Sequence, residues 1–337
     1  MPVSTVARGE YTVMVADLDD LHRQHTALVT GMGMVAFGPR TSIEVTGNDR
    51  AQLLHSFCTQ DIKRLVPGQG TEAFFTNGQG KTIGFTWIFC EPTSLWLNTE
   101  PGLAEPLIRH LDRYVIREDV QFHDRSATRG FWLVAGSEST ARLSTLLGSA
   151  ADLPTHRYQG IRGDWQGRSV TIRKVDYAGS PTYLIETASA DFESVGNALR
   201  ESGAIECTGE GVEIVRVEAG TPRFGLDLTA ENLPQEIDRN SQAISFTKGC
   251  YLGQETVARI DALGHVNRLL RAVQFTGPSV PQVGSELHKD AKVVGRVTSA
   301  VWSIQLHAPL ALAYVRREVA AIGTQLDAAQ IVDFPIP

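Results

Sequence analysis

Two β-rich runs, Thr71 to Asn77 and Thr82 to Cys90, are separated by little more than Asn77-Gly78-Gln79-Gly80-Lys81. Asn-Gly with a second glycine two residues on suits a tight turn, so the runs are expected to pair as a hairpin. Strands joined this tightly run antiparallel, since a parallel pair needs a crossover of a dozen or more residues. Ser94 to Asn98, Ser-Leu-Trp-Leu-Asn, reads as a third strand after the hairpin. Elsewhere strand-like and helix-like stretches alternate irregularly, without clean βαβ repeats. The expected fold class is therefore α+β with mainly antiparallel sheets.

Around this centre, residues 1–34 read as a lead-in. Its stretch from Asp17 to Leu28 is expected to be helical and to pack on the main body, because Leu18, Leu21, His22 and His25 share a face. A strand, Thr41 to Gly47, feeds a helix for which Asn48 offers a cap. Helices are expected over Leu103 to Val115, Ser139 to Leu147 and Asp191 to Ser202. Another runs up to Gly220, where Pro222 prevents continuation. From His265 onward short strands with intervening Gly and Pro replace the mixed texture, which predicts a small all-β domain over 265–337 behind an α+β region over 35–264. A length of 337 residues suits such a division into two domains or so.

Charge and cysteine content narrow the function. With 31 basic against 38 acidic residues the net charge is −7, which argues against nucleic-acid binding through a basic surface. The four cysteines, Cys58, Cys90, Cys207 and Cys250, form no CxxC pair and no metal spacing, so reduced thiols and no metal site are expected. No apolar run approaches 18 residues and the first twenty residues lack a signal-peptide core, so a soluble, cytoplasmic protein without a membrane partner is expected.

Three segments carry candidate chemistry. In Lys248 to Arg268, Lys-Gly-Cys-Tyr-Leu-Gly-Gln-Glu-Thr-Val-Ala-Arg-Ile-Asp-Ala-Leu-Gly-His-Val-Asn-Arg, Cys250 lies beside Lys248 and before a helix. A nearby ammonium and a helix N-terminus both favour a thiolate, so Cys250 is either a reactive thiol or a buried cysteine acting as a small hydrophobe. Lys248 is either a point charge for an anionic ligand tail or a solvated lysine. In Arg216 to Glu236, Glu218 precedes a glycine turn. Its carboxylate suits two parallel hydrogen bonds from a flat heterocycle such as a pterin edge, or else pairs with Arg216, Arg223 or a turn amide. The acidic run from Asp227 to Glu236 matches no metal loop and reads as solvated. Asn77 is either part of its turn or an amide offered to a pocket. Tyr177 and Tyr183 are either sheet packing or a stacking surface.

The run Lys-Gly-Cys-Tyr-Leu-Gly-Gln-Glu-Thr-Val-Ala-Arg from Lys248 resembles the signature of the YgfZ family, relatives of the glycine-cleavage T-protein (GcvT, aminomethyltransferase) superfamily. Arg40 to Gly70, Arg216 to Glu236, the Gly-His-Val-Asn-Arg extension at Gly264, Val293 to Ala300 and Leu310 to Glu318 extend the resemblance over most of the chain. It implies ring-like folate-binding α+β subdomains closed by a C-terminal β-barrel, with tetrahydrofolate or a one-carbon derivative as ligand. It also implies a role in assembly or repair of iron–sulfur clusters in client enzymes, tRNA-modifying ones among them. The site residues implied are Glu218, Asn77 and Tyr177 for the pterin and Cys250 as the functional thiol, and Lys248 and Arg223 are expected beside the ligand. T-proteins place an aspartate after a Val-Val-Asn-Ala strand, where this chain offers only Glu100 and Glu105. A folate-dependent one-carbon transferase using Glu105 is one alternative, and a scaffold with a vestigial pocket is the other.

Overall fold

The computed structural model describes residues 15–148, 153–179 and 181–336, so residues 1–14 of the predicted lead-in and Ser180 of the Tyr177 segment lie outside it. Its elements form three sheets with helices packed against them, a mixed α+β fold in which the strand pairs are antiparallel with one exception among the described residues.

The hairpin forms as its turn residues require. Strands Gly70–Thr76 and Thr82–Cys90 pair antiparallel, followed in space by Leu95–Thr99, Thr41–Thr46 and Gln121–Asp124. Asn77 builds the turn itself: its Oδ1 accepts from the backbone N–H groups of Gln79 and Lys81 at 2.9 and 3.0 Å. Along Leu95–Thr99 side chains alternate between faces. Leu95 and Leu97 join Ile43, Val45 and Ile88 under helices Arg50–Phe57 and Ala104–Asp112, while Trp96 faces the second sheet. Asn48 does not cap the first of these helices. Its amide and backbone N–H both donate to Asp119, and Asp49 occupies the capping position without a side-chain bond.

The second sheet has the order Ile205–Glu206, Gly33–Ala36, Arg129–Ala135, Thr182–Ala188, Arg168–Val175, Gly160–Trp165. Gly33–Ala36 pairs parallel with Ile205–Glu206, the exception noted above. The described part of the lead-in, residues 15–34, thus contributes to the core. Helix Val15–Val29 buries Leu21, Ala27 and Leu28, and the strand that follows enters the middle of a sheet. Four residues are too few to show a period, so the sequence pattern did not mark this strand. Phe131, Leu133 and Leu184 of this sheet meet Trp87, Phe89 and Trp96 of the first.

The third sheet, in the order Glu286–Lys289, Lys292–Ser303, Ala308–Arg316, Arg268–Phe275, Ala329–Val332, is a C-terminal half-barrel. Helix Gly209–Glu218 connects it to the rest. Thr208 caps its start by accepting from Gly211, and Gly220 takes φ +69° just past its end. A side chain at Gly220 would collide with Phe334, so the turn needs glycine for both reasons.

The expected solvated loop from Asp227 to Glu236 is instead largely interior. Asp227 is buried and accepts from Arg216 Nη1 at 2.8 Å, Arg223 N at 3.0 Å, Thr298 Oγ1 at 2.6 Å and Ser299 Oγ at 2.5 Å. The physical reason is Arg216, which is 0% exposed and supplies the opposite charge that lets a carboxylate leave water.

Candidate functional site

The first two sheets and the loop after helix Gly209–Glu218 meet around a central cavity. Arg40, Glu72, Phe85, Trp87 and Asn98–Glu100 line it from the first sheet and its approach. Asp176 and Tyr177 line it from the end of strand Arg168–Val175, and Thr221, Pro222, Phe224 and Arg239 from the connecting segments. Its volume is about 20 Å³, room for one or two waters.

The charged groups in its wall hold one another. Glu100 accepts from Arg40 Nη1 at 3.2 Å on one oxygen and from Arg223 Nε and Nη2 at 3.2 and 3.1 Å on the other. Burial alone would raise the Glu100 pKa, but the two guanidinium groups outweigh it and hold the carboxyl below its ordinary value. Glu72 is gripped by Arg239 at 2.7 and 2.9 Å and accepts from the Tyr158 hydroxyl. Arg239 reaches Asp176 at 3.5 Å, and Asp176 meets Arg157 at 2.7 Å. Side-chain exposure rises along this chain from 1% at Glu72 through 11% at Arg239 and 28% at Asp176 to 43% at Arg157. The network therefore runs from the cavity wall in the interior to solvent.

Against these paired charges stand polar groups without protein partners. The Tyr177 ring is fixed edge-on to Phe37 at 4.7 Å and Trp87 at 6.2 Å, and its hydroxyl has no hydrogen-bond partner among the described residues. Burial, with Glu100 second, pushes the Tyr177 pKa up to about 12, so near neutral pH the hydroxyl keeps its proton and can donate. Asn98 Oδ1 and Arg40 Nε are buried and unpartnered as well. Leaving such groups unpaired costs about 1–3 kcal/mol each. The cavity is thus suited to holding a small polar ligand by hydrogen bonds, and none of its carboxylates is free to act as a base.

Of the six site residues expected from sequence, Tyr177 lines this cavity and Arg223 stands one step behind it, through Glu100. The other four lie elsewhere. Glu218 is buried, with Oε2 2.7 Å from His25 Nε2 and Oε1 accepting from Ser303 Oγ at 2.7 Å and Gln305 N at 3.1 Å. It joins the first helix to the half-barrel, and both of its oxygens are engaged by protein groups. Lys248 is buried too, and its three ammonium protons go to the carbonyl oxygens of His55, Cys58 and Gln60. Burial pushes its pKa below the ordinary lysine value. It closes the end of helix Arg50–Phe57, so neither the ligand-tail reading nor the solvated one describes it. Asn77 serves its own turn. Cys250 is exposed, which removes the buried-hydrophobe reading and leaves an accessible thiol.

Sequence reasoning missed Arg40, Glu72, Asn98, Asp176 and Arg239. The period-two pattern could have found Asn98, which follows Leu95 and Leu97 on the opposite register. The others come together only through tertiary contacts. Glu105, the carboxylate weighed for a transferase, is exposed on helix Ala104–Asp112 and paired with Arg109.

Comparison with known proteins adds the family context. Residues 11–248 match the model of the GCVT N-terminal domain, and residues 268–331 match that of the glycine cleavage T-protein C-terminal barrel domain. A chloroplastic protein of Arabidopsis thaliana, named as a transferase, is 28% identical over 92% of this chain and 71% of its own length. The aminomethyltransferase of Nostoc sp. is 24% identical over 93% of this chain and 85% of its own. The crystal structure of the glycine cleavage system aminomethyltransferase T from Bartonella henselae superposes with a TM-score of 0.84, covering 94% of this chain and 89% of that one at 17% identity.

Proposed function

Since this chain belongs to the glycine cleavage T-protein (GCVT) family, we propose that it binds tetrahydrofolate or a one-carbon derivative at the central cavity. On this reading it serves as a binding protein that supports assembly or repair of iron–sulfur clusters in client enzymes, with Cys250 as its working thiol. One observation carries the reading: the cavity presents an unpartnered tyrosine hydroxyl while each of its carboxylates is locked in an ion pair.

Transfer of an aminomethyl group, the activity in the names of the bacterial relatives, calls for a carboxylate that can take and return a proton. Glu100 is the carboxylate that bears on the Tyr177 hydroxyl, and two arginines hold it ionised. Glu105 is outside the cavity. The binding reading is therefore preferred to the transferase. The iron–sulfur role rests on the Lys248–Arg259 signature and on the exposure of Cys250.

A pterin is larger than a cavity of about 20 Å³, so binding requires the wall to move. The Arg239–Asp176 contact, at 3.5 Å the longest link of the network that runs from the cavity wall to solvent, is the part expected to open.

Calorimetric titration with tetrahydrofolate and its methylene and formyl forms tests the reading. At least one form is expected to bind, and Tyr177→Phe to weaken that binding by up to about tenfold, the worth of one neutral hydrogen bond. Failure of all three forms overturns the folate reading. Cys250→Ala is expected to leave folate affinity intact while client iron–sulfur activity in cells falls; full activity in that variant overturns the role of the thiol.

A further inference from the structure

A second and larger cavity lies at the C-terminal end of helix Gln254–Leu263. About 250 Å³ in volume, it is bounded by Ile260, Asp261, Gly264, His265 and Val266 at the end of helix Gln254–Leu263. Gln235, Asp238 and Asn240 form a second wall, and Leu269 and Arg317 of the half-barrel a third. It is independent of the central site, with which it shares no lining residue.

Two of its charged side chains, unlike those of the central cavity, stand outside any ion pair among the described residues. Arg317 is exposed and takes part in no ion pair among the described residues, and the same holds for Asp261. Asp238, by contrast, is already bonded to Arg271 at 2.7 Å. Gln235 is buried, and its Nε2 donates to the Val257 carbonyl at 2.7 Å, which fixes the orientation of the amide and leaves Oε1 without a donor. Asn240 Oδ1 is also buried without a donor. Ile260, Val266 and Leu269 supply an apolar remainder.

We propose that this cavity binds a free α-amino acid. Arg317 matches its carboxylate, Asp261 its ammonium group, and the acceptors in the Gln235–Asn240 wall can take further N–H donors. The volume, below the range of about 300–1,000 Å³ usual for drug-sized ligands, limits the occupant to this size. The segment that follows the signature, with Gly264, His265 and Val266 of the extension, then has a task that the thiol does not explain.

Ligand-observed NMR on the full chain, with the twenty protein amino acids one at a time and with acetate and ethanolamine as half-ligands, tests this. At least one amino acid is expected to bind saturably, and both half-ligands at least tenfold more weakly. Arg317→Ala and Asp261→Asn, at exposed positions that leave the core untouched, are each expected to weaken binding at least tenfold without altering the tetrahydrofolate titration. Absence of saturable binding by any amino acid overturns the proposal. So does equal binding of acetate, or binding indifferent to Arg317→Ala.

Discussion

Glu218 uses both carboxylate oxygens on the protein itself, and its contribution should depend on pH. His25, Ser303 and Gln305 N–H hold the charged form, and together they outweigh the cost of burial, so the folded pKa lies below the ordinary carboxylate value. A carboxylate depressed in this way stabilises the fold fully above its unfolded pKa of about 4.3, and the contribution fades as pH falls through the lower folded value. Glu218→Gln is expected to destabilise the fold at pH 7, and the gap from the wild type should narrow as pH falls below about 4 in urea unfolding series. Folate affinity should be unchanged. A variant that keeps its stability but loses folate would restore Glu218 to the site. The case shows where sequence reading stopped at this scale. That Glu218 sits before a glycine turn was legible; that a histidine 193 residues away supplies its partner was not.

At the scale of elements, local chemistry was legible and long-range contact was not. Asn77, Gly78 and Gly80 specify their turn, and the helices over Ala104–Asp112, Ser139–Leu146 and Phe192–Glu201 follow from periodicity and boundaries. What no local pattern contained is that the hairpin tip rests on the signature loop. Thr76 Oγ1 donates to the Leu252 carbonyl at 2.6 Å, and Gly253, at φ +84°, lies so close that a side chain there would come within 2.5 Å of the Asn77 carbonyl. The glycine of the signature is thus required twice, for its backbone angle and for the approach. Gly253→Ala is expected to cost more than the about 1–2 kcal/mol of a left-handed alanine alone. Hydrogen exchange should accelerate at residues 76–81 as well as around position 253. Exchange confined to the loop would mean that the hairpin does not depend on it.

The whole molecule is tied together by buried charge. Arg216, wholly enclosed, bonds Glu213, the Thr221 carbonyl, Asp227 and Ser299, so one side chain spans the central helix, the loop after it and the half-barrel. Removing one partner of such a pair is far more harmful than never having had the pair, about 3–5 kcal/mol. Asp227→Ala is expected to lower stability by that order. It should also split a single thermal transition into two, with the half-barrel, residues 268–332, melting first by calorimetry. One sharp transition in the variant would show that apolar packing alone couples the parts. The sequence did separate an all-β tail from an α+β body, because texture changes are local. It misread the acidic stretch that joins them as solvated, because the cation that neutralises it is on another element.

The packing around Tyr177 has a practical side as well. Trp87 shares the cavity wall with it, whereas Trp96, Trp132, Trp165 and Trp302 do not line that space. A molecule that enters must come against the Trp87 indole and alter its surroundings. The chain thus carries its own optical probe at the place where occupancy matters, and emission can report filling of the cavity without any attached dye.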